Sequence, residues 1–296
     1  MNAAVRTLAH AKINLFLRVL AREDDGYHSL ETLFCLISLA DELSAERTET
    51  AGVHLEVSGA DCGPPQDNLA ARAAQMVLDA TGRRFGVALR LVKQIPVQAG
   101  LGGGSSDAAA ALSAVNRLAG DAIPRHELLQ MGARLGSDIP FLLTGAPLAL
   151  AWGHGDRLLR LPPLPSAPAL LVIPSIGIST PEAYRQIDRT RTGGGRRGAV
   201  VLEPETLGSW GQVARLAGND FEFALFGPHP ELKAAFEALA GTRPLLCRMS
   251  GSGSALVAIY RSPRDRDDAV MALGHRHGRV VPVETLDVAA PAPELV

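Results

Sequence analysis

The sequence has few of the features that mark extracellular, membrane-bound or nucleic-acid-binding proteins. Its 296 residues include three cysteines, Cys35, Cys62 and Cys247, which lie far apart and without paired spacing. This usage argues against a disulfide framework and against a zinc site. The formal net charge of -2 gives no general attraction to nucleic acid or to an anionic membrane surface. We expect a cytoplasmic protein that has no nucleic-acid partner.

Long apolar runs are also absent from the sequence. No run approaches the roughly 20 residues that span a bilayer, and the first residues do not follow a signal-peptide pattern. Aromatic residues make up only 4% of the chain, whereas hydrophobic residues make up 47%, which is enough for a large core. We therefore expect a globular protein without a membrane partner, in which any site for a charged ligand is local.

The order of the elements indicates a mixed α+β protein. Apolar residues that alternate or are β-branched predict strands, and capped or alanine-rich segments predict helices, without a regular βαβ rhythm. The strands are expected at residues 5–20, 53–57, 87–91, 170–173 and 255–260, and the helices at residues 68–80, 108–118 and 124–135. The densest proline run, residues 161–168, predicts a boundary between an N-terminal domain (1–160) and a C-terminal domain (161–296).

Residues 96–106, PVQAGLGGGSS, form a glycine loop that leads directly into an alanine-rich helix. Backbone N–H groups and the helix dipole converge at such a helix N-terminus and favour a bound anion. Glycines let a polyphosphate lie against the bare main chain. Ser105 or Ser106 is expected to cap the helix, or to reach a phosphate or a metal ion. The alternative is a flexible linker, although linkers rarely lead straight into an apolar helix.

The sequence of the glycine loop does not match the commoner phosphate-binding loops. A Walker A loop ends in Gly-Lys-Ser/Thr, and no lysine stands between Gly100 and Ser106. The dinucleotide-binding and protein-kinase loops need Gly-x-Gly-x-x-Gly, and Ser105 occupies the last of these positions. None of these three classes of nucleotide-binding protein is indicated.

Three other segments carry polar residues suited to chemistry. Lys12 and Asn14 lie two residues apart in a predicted strand, so both side chains should project from one face. Asp138 is the acidic residue of the apolar segment 136–141, and residues 249–254 form a second turn of glycine and serine. Each has a simpler interpretation: Lys12 as a solvated edge-strand lysine, Asp138 as the N-cap of a short helix, and the turn as the start of a core strand.

In order and spacing, the Lys-x-Asn start, the glycine loop and the Ser-Gly-Ser-Gly turn resemble the three motifs of the GHMP kinase superfamily. Segments 25–34, 136–141 and 219–222 resemble those members that act on a cytidine diphosphate-linked methylerythritol. The resemblance covers nearly the whole chain. It implies a two-domain α+β fold with ATP and substrate in the cleft between the domains. The reaction would transfer the ATP γ-phosphoryl group to the tertiary 2-hydroxyl of the substrate, in the non-mevalonate route to isoprenoid precursors.

The resemblance also implies a role for each motif. Asp138 would accept or orient the proton of the alcohol, and Lys12 would steady Asp138 and the charge on the transferring group. ATP phosphates would be held by the glycine loop, with a serine hydroxyl on Mg²⁺. The loop residues are Pro96, Val97, Gln98, Ala99, Gly100, Leu101, Gly102, Gly103, Gly104, Ser105 and Ser106.

Substrate recognition would use five residues, Asn14, Tyr27, His28, Thr180 and Tyr184. The resemblance implies that Asn14 fixes the substrate alcohol. Tyr27, His28 and Tyr184 would lie near the nucleobase, where stacking and edge hydrogen bonds select the base. Thr180 is expected to cap the helix that carries Tyr184.

Two positions depart from the family pattern, and two alternative functions fit the same motifs. His10 stands where family members commonly have proline, and Gln98 where they usually carry alanine or glycine, so the approaches to Lys12 and to the loop differ. Asp107 receives no catalytic role, because an acid there would repel phosphate. The alternatives are a homoserine or mevalonate type kinase of the same superfamily, and a non-catalytic sensor on the same fold.

Overall fold

The computed structural model describes residues 3–24, 26–60, 62–190 and 202–295. Asp25, which begins one of the segments used above, lies outside the described residues. The described strands form a seven-stranded sheet and a four-stranded sheet, with helices packed against both. The expected α+β class is therefore confirmed.

The first sheet is built around a long antiparallel pair, β1 (Ala4–Arg22) and β2 (His28–Thr48). The hydrogen-bonded order is β11, β1, β2, β4, β3, and β5 pairs with both β2 and β6. The other strands are β3 (Val53–Ser58), β4 (Gly86–Val92), β5 (Leu148–Gly153), β6 (Arg157–Arg160) and β11 (Glu294–Leu295). The pair β3 and β4 is parallel and the other pairs of this sheet are antiparallel. The strand β2, the longest one described, was not predicted from the sequence.

The second sheet has the order β10, β7, β9, β8 and is antiparallel throughout. Its strands are β7 (Pro168–Ile173), β8 (Leu246–Met249), β9 (Leu256–Ile259) and β10 (Arg279–Glu284). The chain changes sheets within the proline run, because β6 ends at Arg160 and β7 begins at Pro168. The two-domain division at residue 160 stays a prediction. The strand β11 belongs to the predicted C-terminal domain in sequence but pairs with β1 of the first sheet.

Nine α-helices are described, together with two short 3-10 helices, Pro65–Asp67 and Pro204–Leu207. The α-helices are α1 (Leu69–Ala80), α2 (Gly103–Leu118), α3 (Arg125–Leu135), α4 (Ile139–Thr144), α5 (Thr180–Thr190), α6 (Trp210–Leu216), α7 (Asp220–Leu225), α8 (Pro230–Gly241) and α9 (Pro263–Leu273). The Asn68 side chain caps α1 by accepting a 2.9 Å hydrogen bond from the Ala70 N–H. In the described part of the chain, no helix has the length and apolar character that crossing a membrane requires.

The expected cap of α2 is wrong. The helix begins at Gly103, and the capping position is Gly102, which has a φ of 72°. That left-handed conformation suits glycine and strains other residues. Ser105 and Ser106 therefore lie inside the first helical turn, because the glycines turn the chain earlier than a serine cap would.

The core positions β1 as the base of the site. Ala11, Ile13 and Leu15 are fully buried in an apolar cluster that also contains strand residues of the second sheet. Side chains alternate between the two faces of a strand. Lys12 and Asn14 therefore point away from this core, on the side where the cavity described below opens.

Candidate active site

A cavity of about 1060 Å³ brings together most of the residues predicted from the sequence. Ligand pockets in proteins typically measure about 300–1,000 Å³, so this one has room for a nucleotide and a second ligand. Its lining includes Lys12, Asn14, Tyr27, His28, residues 96–105, Asp138, Thr180 and Tyr184. Ser106 is the one predicted site residue that does not line it.

The glycine loop forms one wall of the cavity and ends at the N-terminus of α2. The first N–H groups of a helix have no partner inside the helix, and the first intrahelical bond of this turn is Ser106 N–H to Gly102 O at 2.8 Å. A Cβ atom at Gly104 would meet only Leu69, at 3.8 Å, so the space beside this glycine is open. The geometry fits an anion placed over the start of α2.

The two serines of the loop have different surroundings. The Ser106 hydroxyl donates a 2.7 Å hydrogen bond to the His10 carbonyl, and the residue is 3% exposed. Ser105 is only partly buried and lines the cavity. Of the two hydroxyls, that of Ser105 is therefore available to a phosphate or a metal ion, whereas that of Ser106 ties α2 to β1.

Lys12 belongs to a hydrogen-bond network between β1 and β2. Its Nζ donates to Asn14 Oδ1 at 2.9 Å and lies 3.2 Å from Asp138 Oδ2. Asn14 Nδ2 in turn donates to the Thr32 hydroxyl at 2.7 Å, which donates to the Phe16 carbonyl at 2.6 Å. The ammonium group is thus held in place by Asn14 and faces the Asp138 carboxylate. Thr32, fully buried on β2, was missed because β2 was missed.

Asp138 precedes α4 but does not act as its side-chain cap. It occupies the capping position, yet its carboxylate makes no capping hydrogen bond. Instead the carboxylate pairs with Lys12 and keeps 30% of its side-chain surface exposed. The interpretation of Asp138 as an N-cap is therefore right about the position of the residue and wrong about its side-chain contacts.

A second lysine, Lys93, lies on the other side of the loop in a buried cluster with Asp41 and Asp107. Its Nζ pairs with Asp41 and, at 2.6 Å, with Asp107, and all three side chains are at most 3% exposed. Burial alone would lower the pKa of Lys93, but the two carboxylates raise it. Burial raises the pKa of Asp107 to about 7, against the lowering effect of Lys93. One cation serves two carboxylates. Asp41 also accepts hydrogen bonds from the Gln94 and Ile95 N–H groups, whereas Asp107 Oδ1 has no hydrogen-bond partner among the described residues.

The turn at residues 249–254, here called the Ser-Gly turn, packs directly on the glycine loop. The Ser250 hydroxyl donates a 2.9 Å hydrogen bond to the Gly100 carbonyl, and the Ala255 N–H donates a 3.1 Å bond to the Ala99 carbonyl. Gly100 has a φ of 76°, and a Cβ atom there would lie 2.2 Å from the Ser250 carbonyl oxygen. This close approach requires glycine.

The opposite end of the cavity is an aromatic wall. His28 and Tyr184 stack with their ring centroids 4.8 Å apart, and His28 Nε2 lies 2.7 Å from Asp188 Oδ1. Tyr27 is 66% exposed and stacks on His154 at 5.1 Å. Burial, with a smaller effect of the Asp138 charge, raises the pKa of Tyr184 to about 12, so its hydroxyl stays protonated. Asp188 lies 160 residues from His28 in sequence, and no local signal indicated their pairing.

Thr180 does not cap the helix that carries Tyr184, and this expectation is corrected. The Ser179 hydroxyl accepts a 3.3 Å hydrogen bond from the Glu182 N–H and occupies the capping position, because Thr180 is already the first helical residue. The Thr180 hydroxyl lies 3.1 Å from that of Ser252, so it joins α5 to the Ser-Gly turn.

Sequence and structure comparisons place the chain among known kinases. The N-terminal GHMP kinase domain family matches residues 68–146, and the C-terminal GHMP kinase family matches residues 201–279. A 4-diphosphocytidyl-2-C-methyl-D-erythritol kinase from Solibacter usitatus (strain Ellin6076) is 40% identical over 270 residues, which cover 90% of this chain and 84% of the relative. The chain belongs to this family of GHMP kinases. The predicted family is confirmed.

Solved structures agree with this assignment. A crystal structure of a 4-(cytidine 5'-diphospho)-2C-methyl-D-erythritol kinase has a TM-score of 0.79 and 37% identity, and the match covers 95% of this chain and 98% of that chain. A homoserine kinase from Cytophaga hutchinsonii ATCC 33406 has a TM-score of 0.70 at 18% identity, over 99% of this chain and 97% of that chain. The second likeness shows the fold alone, which is the expected GHMP kinase fold.

The two departures from the family pattern take ordered conformations. His10 Nδ1 lies 3.1 Å from the Ile37 carbonyl oxygen, and burial lowers the pKa of this histidine. Gln98 has a φ of 55°, a left-handed conformation that glycine adopts more easily. The glutamine at this position therefore carries a local strain that a glycine in the same loop would not.

Proposed function

We propose that this protein is a kinase that transfers the γ-phosphoryl group of ATP to the tertiary 2-hydroxyl of 4-diphosphocytidyl-2-C-methyl-D-erythritol, giving the 2-phosphate and ADP. The observation that carries the proposal is the position of the Lys12 and Asp138 pair. It lies between the glycine loop and the aromatic wall in one cavity. A phosphate donor over α2 and an acceptor held by the wall would meet at this pair.

Asp138 is proposed as the group that takes or orients the proton of the acceptor alcohol. Its carboxylate is exposed to the cavity, and no side-chain capping bond competes for it. General base assistance of this kind typically contributes about 10²- to 10⁴-fold to the rate. As the oxygen attacks the γ-phosphorus, the bond to the β–γ bridging oxygen breaks and ADP leaves.

Lys12 is proposed to stabilise the charge on the transferring group. Its ammonium is fixed by Asn14 and faces Asp138, so it needs little reorganisation during the reaction. Asn14 uses one amide hydrogen and one lone pair within the protein, and the remaining hydrogen is proposed to meet the substrate alcohol.

The aromatic wall is proposed to bind the cytidine. His28 is held by Asp188 on one side and by the Tyr184 ring on its face, which fixes a flat surface. Tyr27 is largely exposed, lines the cavity and is proposed to cover the base on that side. Aromatic faces and fixed polar edges are suited to a nucleobase. Thr180, at the start of the same helix as Tyr184, is proposed to contact the diphosphate through its hydroxyl.

The glycine loop is proposed to hold the ATP phosphates with Mg²⁺. Among the residues described, no cluster of three or more His, Cys, Asp or Glu side chains is placed to bind a metal ion. Mg²⁺ in kinases keeps several waters and binds through phosphates and one or two protein oxygens. The Ser105 hydroxyl lines the cavity and fits this need. Mg²⁺ bound there would neutralise phosphate charge.

The experiment that tests this function is ADP release by the purified protein with Mg-ATP and four candidate acceptors. These are 4-diphosphocytidyl-2-C-methyl-D-erythritol, methylerythritol without the cytidine, homoserine and mevalonate. Turnover is expected with the cytidine-bearing acceptor alone. Turnover with homoserine or mevalonate would assign a sister kinase, and ATP binding without turnover on any acceptor would favour a sensor.

A further inference from the structure

The segment 218–222, at the start of α7, contacts both β1 and the Ser-Gly turn. Phe221 of this segment lines the cavity, whereas Asn219 does not. Asn219 is 6% exposed and precedes α7 at its capping position. Its Oδ1 accepts a 3.0 Å hydrogen bond from the Phe221 N–H, which caps the helix. The Nδ2 of Asn219 takes no part in this cap.

The Asn219 amide nitrogen is used entirely on the Ser-Gly turn. It donates 2.8 Å hydrogen bonds to the Met249 carbonyl and to the Gly251 carbonyl. The Met249 N–H donates a 2.8 Å bond to the Glu222 carboxylate, one helical turn further along α7. Both polar groups of the Met249 backbone are thus held by α7, together with the carbonyl two residues later.

The same segment is attached to β1. The Leu17 N–H donates a 2.8 Å hydrogen bond to the Gly218 carbonyl, and Leu17 and Asn219 form a parallel bridge. The Val19 N–H donates a 2.7 Å bond to the Asp220 carboxylate. The segment therefore spans from the strand that carries Lys12 to the turn that supports the glycine loop.

We propose that Asn219 is a positioning residue for phosphoryl transfer, which fixes the Ser-Gly turn and through it sets the glycine loop relative to Lys12. The path runs from Asn219 to the turn, and from Ser250 to the Gly100 carbonyl. A Cβ atom on Gly251 would lie 3.1 Å from the Gly100 oxygen and 3.5 Å from Lys12 Nζ, so the turn, the loop and the lysine pack closely. This inference rests on the proposed kinase function.

The test uses the intact protein and a double-mutant cycle of Asn219→Ser and Ser250→Ala. Serine keeps an acceptor for the Phe221 N–H but is too short to reach both carbonyls of the turn. We expect Asn219→Ser to raise the KM for ATP about tenfold and lower kcat about tenfold, because small displacements of a positioned group cost large factors in rate. The KM for the cytidine substrate should rise less than the KM for ATP, because the turn packs directly on the glycine loop, whereas its link to α5 is the contact of Ser252 with Thr180.

The cycle separates positioning from general stability. If Asn219 acts through the turn, Ser250→Ala in the Asn219→Ser background should cost much less than it does alone. Ser262→Ala is the control, because Ser262 caps α9, remote from the cavity, and its loss should lower the unfolding midpoint without changing either KM. The proposal is overturned if the effects of Asn219→Ser and Ser250→Ala multiply in the double variant. It is also overturned if Asn219→Ser lowers the unfolding midpoint and leaves the KM values unchanged.

Two further outcomes keep the test decisive. If Asn219→Ser does not fold, Ser250→Ala alone must raise the KM for ATP more than the KM for the cytidine substrate, and an unchanged KM for ATP would overturn the proposal. If the wild-type protein turns over none of the four acceptors, the proposed function fails instead. In that case the dissociation constant for ATP replaces KM, and the same tenfold loss in Asn219→Ser is required.

Discussion

Two lysines flank the glycine loop, and their partners differ in exposure. Lys12 pairs with Asp138, whose side chain keeps 30% of its surface open to the cavity. Lys93 pairs with Asp41 and Asp107, and none of these three side chains is more than 3% exposed. An open pair leaves its charges available to a ligand, whereas a sealed cluster uses them to hold β2, β4 and α2 together. We propose that the same residue types serve chemistry at one side of the loop and stabilise the fold at the other.

The largest effect is expected from removing the charge of the open pair. Asp138→Asn keeps the size of the side chain but cannot take a proton, so kcat should fall about 10²- to 10⁴-fold. The measurement is ADP release at saturating ATP and acceptor. Calorimetric titration provides the control, because both ligands should still bind. Turnover at the wild-type rate would remove Asp138 from the mechanism.

The sealed cluster should respond in stability instead. Lys93→Met leaves two carboxylates buried without a cation, and breaking a buried ion pair in this way costs about 3–5 kcal/mol. Urea unfolding measures the change. The matched control is Lys233→Met, because Lys233 is 56% exposed and pairs with Glu237 on the surface, and such a pair contributes about 0–1 kcal/mol. An unchanged unfolding midpoint for Lys93→Met would contradict the claim that the buried cluster stabilises the fold.

A smaller effect is expected at a buried carboxyl that has no lysine. Burial raises the pKa of Glu222 to about 7, against the weaker lowering effects of the Met249 N–H and Arg248, while Asp220 raises it further. The folded state favours the protonated form, so the contribution to stability is complete below about pH 4.5 and is lost as the pH rises through 7. Glu222→Gln keeps an acceptor for Met249 and should stabilise the protein at pH 8 by about 1–2 kcal/mol.

The pH series supplies its own control. At pH 4.5 wild type and Glu222→Gln should unfold at similar urea concentrations, and the difference should grow towards pH 8. A difference of equal size at both pH values would show that the substitution acts through packing and not through the charge.

Much of the open side of the loop could be predicted from sequence, and little of the sealed side. The glycine loop, Lys12 and Asp138 belong to short motifs, and local spacing places them on a strand, a turn and a helix start. Asp41 and Lys93 are separated by 52 residues and meet because β2 pairs with β4. That register depends on the whole sheet, so no local pattern reports it.

The errors at helix starts have a similar cause. Serines and threonines are good caps in general, so Ser105, Ser106 and Thr180 fitted that role. In the fold, Gly102 turns the chain before α2 and Ser179 before α5. The hydroxyls of Ser106 and Thr180 make tertiary contacts instead, with the His10 carbonyl and the Ser252 hydroxyl. Cytoplasmic location stays a prediction.

The role proposed for Lys12 is tested most directly by the rate of phosphoryl transfer of Lys12→Met in a single turnover, with the folded fraction measured in the same sample. The rate should be at least about 10²-fold below wild type in a protein that stays folded, because the partner left behind, Asp138, is open to solvent in the cavity. A wild-type rate, or a loss of activity that merely follows unfolding, would contradict this role.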